Sequence, residues 1–243
     1  MIQVIQLRKS FDQQVVLKGI DLEIRDNQTL VILGPSGQGK TVLIKTIVRL
    51  LESDSGEVHF DGVNILALKR KEFYEFQKQT AFVFQNSALF DFLSVRENLS
   101  LFLKMHTSLN KTDIQREIVD ALSFVSLDQD ILDKFPEDLS GGMRKRVAIA
   151  RAMIKKPRYI FFDEPTTGLD RGNAEKVTEL ILMLQKKTSA TSLVVTHDIK
   201  LMRDISDQVA LLKEGKVFFL GSKELISNDM LRYLYDAGER NGL

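Results

Sequence analysis

The chain contains no cysteine, which excludes a disulfide framework and a thiolate metal site and suits a reducing compartment. It has almost no net charge, because 34 Lys and Arg against 33 Asp and Glu leave +1. The two signs are interspersed, with neither an acidic nor a basic block. A general nucleic-acid surface needs a clear basic excess, so none is expected. Apolar runs are short, and none approaches the roughly 18 residues of a membrane span. The opening MIQVIQLRKSF places its charges after its apolar run, the reverse of a secretory signal. Low-complexity segments, long linkers and internal repeats are also missing. The expectation is a soluble chain whose association with a membrane needs a partner.

What is present is enough apolar material for one large core or two small ones: 44% of 243 residues. Short β-rich runs, IQVIQL, TLVILG, EVHF, TAFVFQ, YIFFD, SLVVTH, QVALL and KVFFLG, alternate with helical patterns. Several runs are nearly all apolar, as strands covered on both faces are. The pattern predicts an α/β protein with a parallel central sheet. Between FVFQ and YIFFD no strand signal stands out. That stretch contains SVRENLSLFLKMH, KTDIQREIVDALSFVSL and the helix opened by DLSGGM, and reads as a helical subdomain inserted into the sheet's sequence.

The first chemical motif is GPSGQGKT, comprising Gly34, Pro35, Ser36, Gly37, Gln38, Gly39, Lys40 and Thr41. It lies between the apolar strand TLVIL and the helix VLIKTIVRLL, the context that a phosphate-binding loop requires. Its backbone N–H groups would cradle phosphates, the helix start adds partial positive charge, Lys40 reaches the terminal phosphates and Thr41 can ligate Mg²⁺. The second motif is YIFFDEP, an apolar strand ending in two carboxylates. Asp163 is suited to hold Mg²⁺ directly or through water. Glu164 is suited to act as general base or to orient an attacking water. A third stretch, DLSGGMRKRVAIARAM, is a Ser-Gly-Gly turn feeding a basic and apolar helix. Ser140 is an ordinary helix N-cap there, and the same turn could also hold an anion.

These stretches together resemble the nucleotide-binding subunits of ATP-binding cassette (ABC) transporters over essentially the whole chain. The resemblance implies a P-loop NTPase fold with a RecA-like core, an N-terminal antiparallel β part and an inserted helical subdomain. On that reading 1–243 is a single ABC ATPase domain, with its core at 1–86 and 157–228, the helical subdomain at about 87–156 and a tail at 229–243. It also implies that Ser140, Gly141 and Gly142 contact the terminal phosphate of an ATP held by a second copy in a head-to-tail dimer. Gln85 resembles the glutamine that senses Mg²⁺ and the attacking water, Asp170 the aspartate that touches the other subunit, and His197 the histidine at the terminal phosphate. Phe11 fits the aromatic that stacks on adenine. His59 and His106 match none of these positions and read as structural.

Two positions depart from the family pattern: Met143 stands where glutamine is commonest, and Val42 where a second hydroxyl is usual. Neither removes a backbone N–H, although Val42 would loosen the contact with the α-phosphate. With FQNSALFDFLSVRENL, the Met143 form of the signature is similar to the lipid-handling branch, the maintenance-of-lipid-asymmetry or Mce-associated transporters. The partners this implies are a second copy, integral membrane permease subunits, an Mce-type lipid-binding subunit and a small regulatory subunit, with no nucleic acid. The chain would sit peripherally on the cytoplasmic face of the inner membrane. Leu89, Phe90, Phe92, Leu93 and Val95 would divide between packing the subdomain and lining a groove for the permease. In the tail, Met230, Leu231, Leu234 and Tyr235 fall at helical spacing, for packing on the chain's own domain or for docking a partner. Alternatives are a cassette ATPase for a non-lipid cargo, and a soluble one serving repair or ribosomes. The latter is disfavoured by the absence of a long heptad insertion and of a second cassette. A purely nucleotide-sensing module would lack the base, and Glu164 is present.

Overall fold

A computed structural model describes residues 1–236. In chain order the elements are β1 (Ile2–Phe11), β2 (Gln14–Ile24), β3 (Thr29–Leu33), α1 (Lys40–Ile47), β4 (Ser55–Phe60), β5 (Val63–Asn64), α2 (Arg70–Lys78), β6 (Thr80–Val83) and α3 (Val95–His106). They continue with α4 (Lys111–Phe124), α5 (Gly141–Ile154), β7 (Tyr159–Asp163), α6 (Arg171–Thr188), β8 (Thr191–Thr196), α7 (Ile199–Ile205), β9 (Gln208–Lys213), β10 (Lys216–Gly221) and α8 (Asn228–Tyr235). Two compact units result, one formed by Met1–Leu68 with the chain from Leu193 onward, the other by Lys69–Ser192.

The first unit holds an antiparallel sheet in the order β2-β1-β4-β5. Its buried side comes from Ile2, Val4 and Leu7 on β1 and Leu17, Ile20, Leu22 and Ile24 on β2. β2 is absent from the strands predicted by apolar runs, and its geometry gives the reason. Leu7 pairs with Ile20 and Arg8 with Lys18, which leaves Gly19 as a bulge at φ +85°. The bulge spaces the inward residues Leu17 and Ile20 three apart, so the period-two signal of a strand is broken. In the same unit β3 runs parallel to β9, pairing Leu30 with Gln208 through to Leu33 with Leu211. All five residues of β3 are buried. β10 joins β9 antiparallel, Lys216 opposite Lys213. The two-residue turn between them, Glu214 and Gly215, can return a strand only antiparallel.

The second unit pairs β6 and β7 in parallel, Thr80 with Tyr159 and Val83 with Phe162, and β7 is buried along its whole length. Helices α3, α4 and α5 pack on one another. Each starts with a side-chain cap: Ser94 accepts from the Glu97 N–H, Asn110 from the Asp113 N–H and Ser140 from the Met143 N–H. α2 went unread in the sequence because it is short and its apolar stripe is only Phe73 and Phe76, both half-buried. Of the tail 229–243, residues 237–243 lie outside the described residues.

Candidate nucleotide site

In the first unit, buried β3 delivers the chain to Gly34, whose N–H donates to the Thr196 carbonyl at 3.3 Å. Gly37 and Gly39 have φ of +79° and +93°, a region that side chains rarely enter. A Cβ on Gly39 would lie 2.9 Å from Val16 Cγ1, whereas one on Gly37 would meet nothing within 4 Å. The loop is therefore seated on β2 at its base and open at its crown, with Ser36 and Gly37 exposed and Pro35 half-buried. α1 then begins at Lys40, with the Leu43 N–H donating to the Gly39 carbonyl at 2.8 Å, so the positive end of the helix meets the loop. Lys40 is 5% exposed and bends back over the loop, donating from Nζ to the carbonyls of Gly34 at 2.8 Å and Pro35 at 2.9 Å. Gln38 is fixed by the β9–β10 turn, its Oε1 accepting from the Glu214 N–H. Thr41 and Val42 lie half-buried on the first turn of α1. An open crown, a helix start and a Lys held at the loop fit a polyphosphate.

Two more predicted residues belong to this unit. His197 is exposed directly after β8, one residue beyond the Thr196 carbonyl that receives the Gly34 N–H. Phe11 is 43% exposed at the end of β1, with Lys9 Nζ 5.3 Å from its ring centroid. It pairs with Gln14 across the β1–β2 turn, so it sits on the hairpin whose Val16 abuts Gly39.

In the second unit, β7 ends in Asp163, only 2% exposed, and Glu164 follows at 7%. Glu164 has φ +48°, an uncommon conformation for a non-glycine residue. Its Oε2 accepts from Thr167 Oγ1 at 3.0 Å. Gln85 is exposed just beyond β6. Its carbonyl and that of Phe84 accept from Lys145 Nζ at 2.6 and 3.1 Å. Lys145 is 2% exposed. Burial drives its ammonium down to about 8, against the opposing pull of the Asp163 charge. A buried cation on α5 thus bonds the Gln85 carbonyl and feels the Asp163 charge.

The structure also joins the Ser-Gly-Gly turn to Asp170. Ser140 and Gly141 are exposed and Gly142 is buried, because a Cβ on Gly142 would come within 2.5 Å of Asn173 Oδ1. Asn173 in turn donates from its backbone to Asp170 Oδ1 at 3.0 Å and from Nδ2 to Oδ2 at 2.5 Å. The Asn173 backbone N–H, then its side chain, hold the exposed Asp170 carboxyl below its ordinary value. Met143 is half-buried in the first turn of α5.

The sequence motifs single out neither Lys145 nor Asn173 nor Asn98. Lys145 sits between Arg144 and Arg146, and nothing in a basic triplet marks its middle member as the buried one. Asn98 is 1% exposed. It accepts from the Phe90 N–H at 2.8 Å and donates to the carbonyls of Phe90, Leu93 and Ser94. It pins the segment after Gln85, leaving Val95 buried, Leu89 and Leu93 half-buried, Phe90 42% exposed and Phe92 77% exposed. His59 bonds Glu57 at 2.6 Å, and His106 packs against Phe102 and Tyr74.

Among the described residues no group of three His, Cys, Asp or Glu is arranged to hold a metal. Mg²⁺ asks for less, one or two carboxylates completed by substrate phosphates and water, and the buried Asp163 of the second unit is a carboxylate of that kind.

The ABC transporter family model matches residues 17–167. A probable ribonucleotide transport ATP-binding protein of Mycobacterium leprae is 34% identical over 93% of this chain and 65% of its own. The intermembrane phospholipid transport system ATP-binding protein MlaF of Haemophilus influenzae is also 34% identical, over 100% of this chain and 92% of its own. The chain spans only 62–65% of the length of the first curated relatives it matches. Among solved structures, a dimeric post-hydrolysis state of the ATP-binding cassette MJ0796 bound to ADP and Pi is 30% identical and superposes with a TM-score of 0.84, covering 91% of this chain and 98% of that one.

Proposed function

The chain belongs to the ABC transporter family, and from that premise we propose that it is the ATP-hydrolysing subunit of a membrane transporter. The observation that carries this reading is the seated, open-crowned loop Gly34–Thr41 with Lys40 drawn across it. Lys40 and the loop amides bind and orient the phosphates, and Phe11 offers a ring face to the adenine. Thr41, Asp163 and Gln85 would hold Mg²⁺, which would supply charge neutralisation on the phosphates. Glu164 takes the proton of the attacking water, and His197 helps to orient that water. Catalysis consists of positioning and charge neutralisation.

The site is completed in trans. Ser140, Gly141 and Gly142 of a second copy close on the terminal phosphate, with Asp170 in the same contact, so ATP joins two subunits and hydrolysis releases them. The exposure of Ser140 and Gly141 supports this. Residues of about 87–156 act as the helical subdomain that meets integral permease subunits, and the chain is peripheral at the cytoplasmic face of the inner membrane. No helix among the described residues is long and apolar enough to cross a membrane. For cargo the reading is phospholipid, with an Mce-type lipid-binding subunit and a small regulatory subunit as further partners. The Met143 signature and the full-length similarity to MlaF support it; the equal identity to a ribonucleotide-transport protein keeps it separate from the ATPase reading.

Two measurements test the two layers. Purified chain should release phosphate from MgATP and lose this with Lys40→Ala; hydrolysis untouched by Lys40→Ala would contradict the site. The complex isolated from membranes should carry phospholipid, and a soluble-solute binding protein in its place would defeat the lipid reading alone.

A further inference from the structure

α8 is the last described element, and the activity proposed above leaves it without a role. Its final turn is fastened to the first unit by several contacts. Leu234 is 1% exposed. The Tyr233 ring meets Phe218 edge-on at 5.1 Å, and Lys213 Nζ lies 4.1 Å from the centre of the Tyr233 ring. Lys213 also donates to the carbonyls of Tyr233 and Asp236, a cation at the negative end of the helix. This anchorage aims one polar group away from the helix: Tyr235 Oη donates to the His197 carbonyl at 2.8 Å.

The peptide that receives this bond is held from its other side as well. The Asp198 N–H donates to Thr196 Oγ1 at 3.0 Å. The Asp198 carboxylate caps α7 by accepting from the N–H groups of Lys200 at 2.8 Å and Leu201 at 3.1 Å. His197 itself is exposed where β8 gives way to α7. With the peptide tied to β8, α7 and α8, these bonds set the Cα–Cβ direction of His197.

We propose that Tyr235 is a positioning residue for His197, so that α8 sets the aim of that imidazole in ATP hydrolysis. The inference rests on the reading of His197 given above. Small misplacements of a group that orients a reactant cost far more in rate than in stability, so one exposed hydrogen bond, weak as a contribution to folding, matters here.

The test is Tyr235→Phe, which deletes one oxygen and keeps the ring. It should lower kcat about three- to tenfold, the scale of one neutral hydrogen bond, with KM for ATP and the melting temperature unchanged. In a His197→Ala background, read by single-turnover hydrolysis at high protein concentration, the same substitution should have no further effect. Wild-type kcat in Tyr235→Phe, or a loss that persists undiminished without His197, would overturn the inference while leaving the His197 reading standing. Wild-type hydrolysis in His197→Ala would overturn that reading first, and the inference with it.

Discussion

Glu164 shows at one residue how local cost and chemistry meet. A glutamate at φ +48° carries strain on the order of 1–3 kcal/mol, which persists only where the surroundings fix it. Here the buried strand before it and the Thr167 hydroxyl on its carboxylate do so. Glu164→Gln keeps an oxygen to accept from Thr167, so the fold and ATP binding should survive while hydrolysis slows by about two to four orders of magnitude, the usual scale for losing a general base. Phosphate release and equilibrium nucleotide binding measure the two halves, and near-normal turnover would remove Glu164 from the role. The carboxylate was legible from YIFFDEP, but its left-handed backbone was not, because only glycine advertises that conformation. Lys145 escaped for a related reason: burial of a lysine is decided by acceptors distant in sequence, here the carbonyls of Phe84 and Gln85.

Among the elements, α5 is tied by cations to the segment that carries Gln85. Beside Lys145, Arg151 donates to the carbonyls of Ala88 at 2.8 Å and Ser87 at 3.2 Å, and Lys155 to those of Gln77 at 3.1 Å and Thr80. Burial, helped by the nearby Arg151 charge, lowers Lys155 to about 8. A lysine with a depressed folded value holds fewer protons than the unfolded chain between about pH 8 and its ordinary value near 10.5. In that window its contribution must therefore rise with pH, by at most about 1.4 kcal/mol per unit. The difference in unfolding free energy between wild type and Lys155→Met, from urea titrations at pH 8 and pH 10, should move in favour of wild type at the higher pH. A difference that stays flat would show Lys155 to be less buried than described. The segment after Gln85 gives a second test. Because Asn98 fixes its backbone and Phe92 is 77% exposed, Phe92→Asp should leave folding and ATP binding of the isolated chain intact. Against a permease it would bury an unpaired carboxylate, which costs several kcal/mol. Co-purification with the permease should then fall at least about 100-fold, the equivalent of some 2.7 kcal/mol, and unchanged recovery would move the docking surface elsewhere. Helices with a buried stripe, α3, α4 and α5, were legible from sequence, as were the apolar strands β3, β7 and β8. β2 was not, since the bulge at Gly19 interrupts its alternation, and neither was α2, whose Phe73 and Phe76 are only half-buried.

For the whole molecule the proposed site is one that a single copy does not finish. The Ser-Gly-Gly turn is exposed at Ser140 and Gly141 and braced at Gly142 through Asn173 to Asp170, so two of the groups assigned to the partner's nucleotide are held together on one brace. The most direct measurement is light scattering of Glu164→Gln, with and without MgATP, beside the same protein carrying Ser140→Arg. The arginine removes the N-cap of α5, worth about 0.5–2 kcal/mol, so a melting curve and nucleotide binding accompany the scattering. On the shared-site proposal, Glu164→Gln becomes a dimer when MgATP is added, and Glu164→Gln with Ser140→Arg stays monomeric while still folded and loaded with ATP. Equal ATP-driven dimerisation of the two proteins would contradict it.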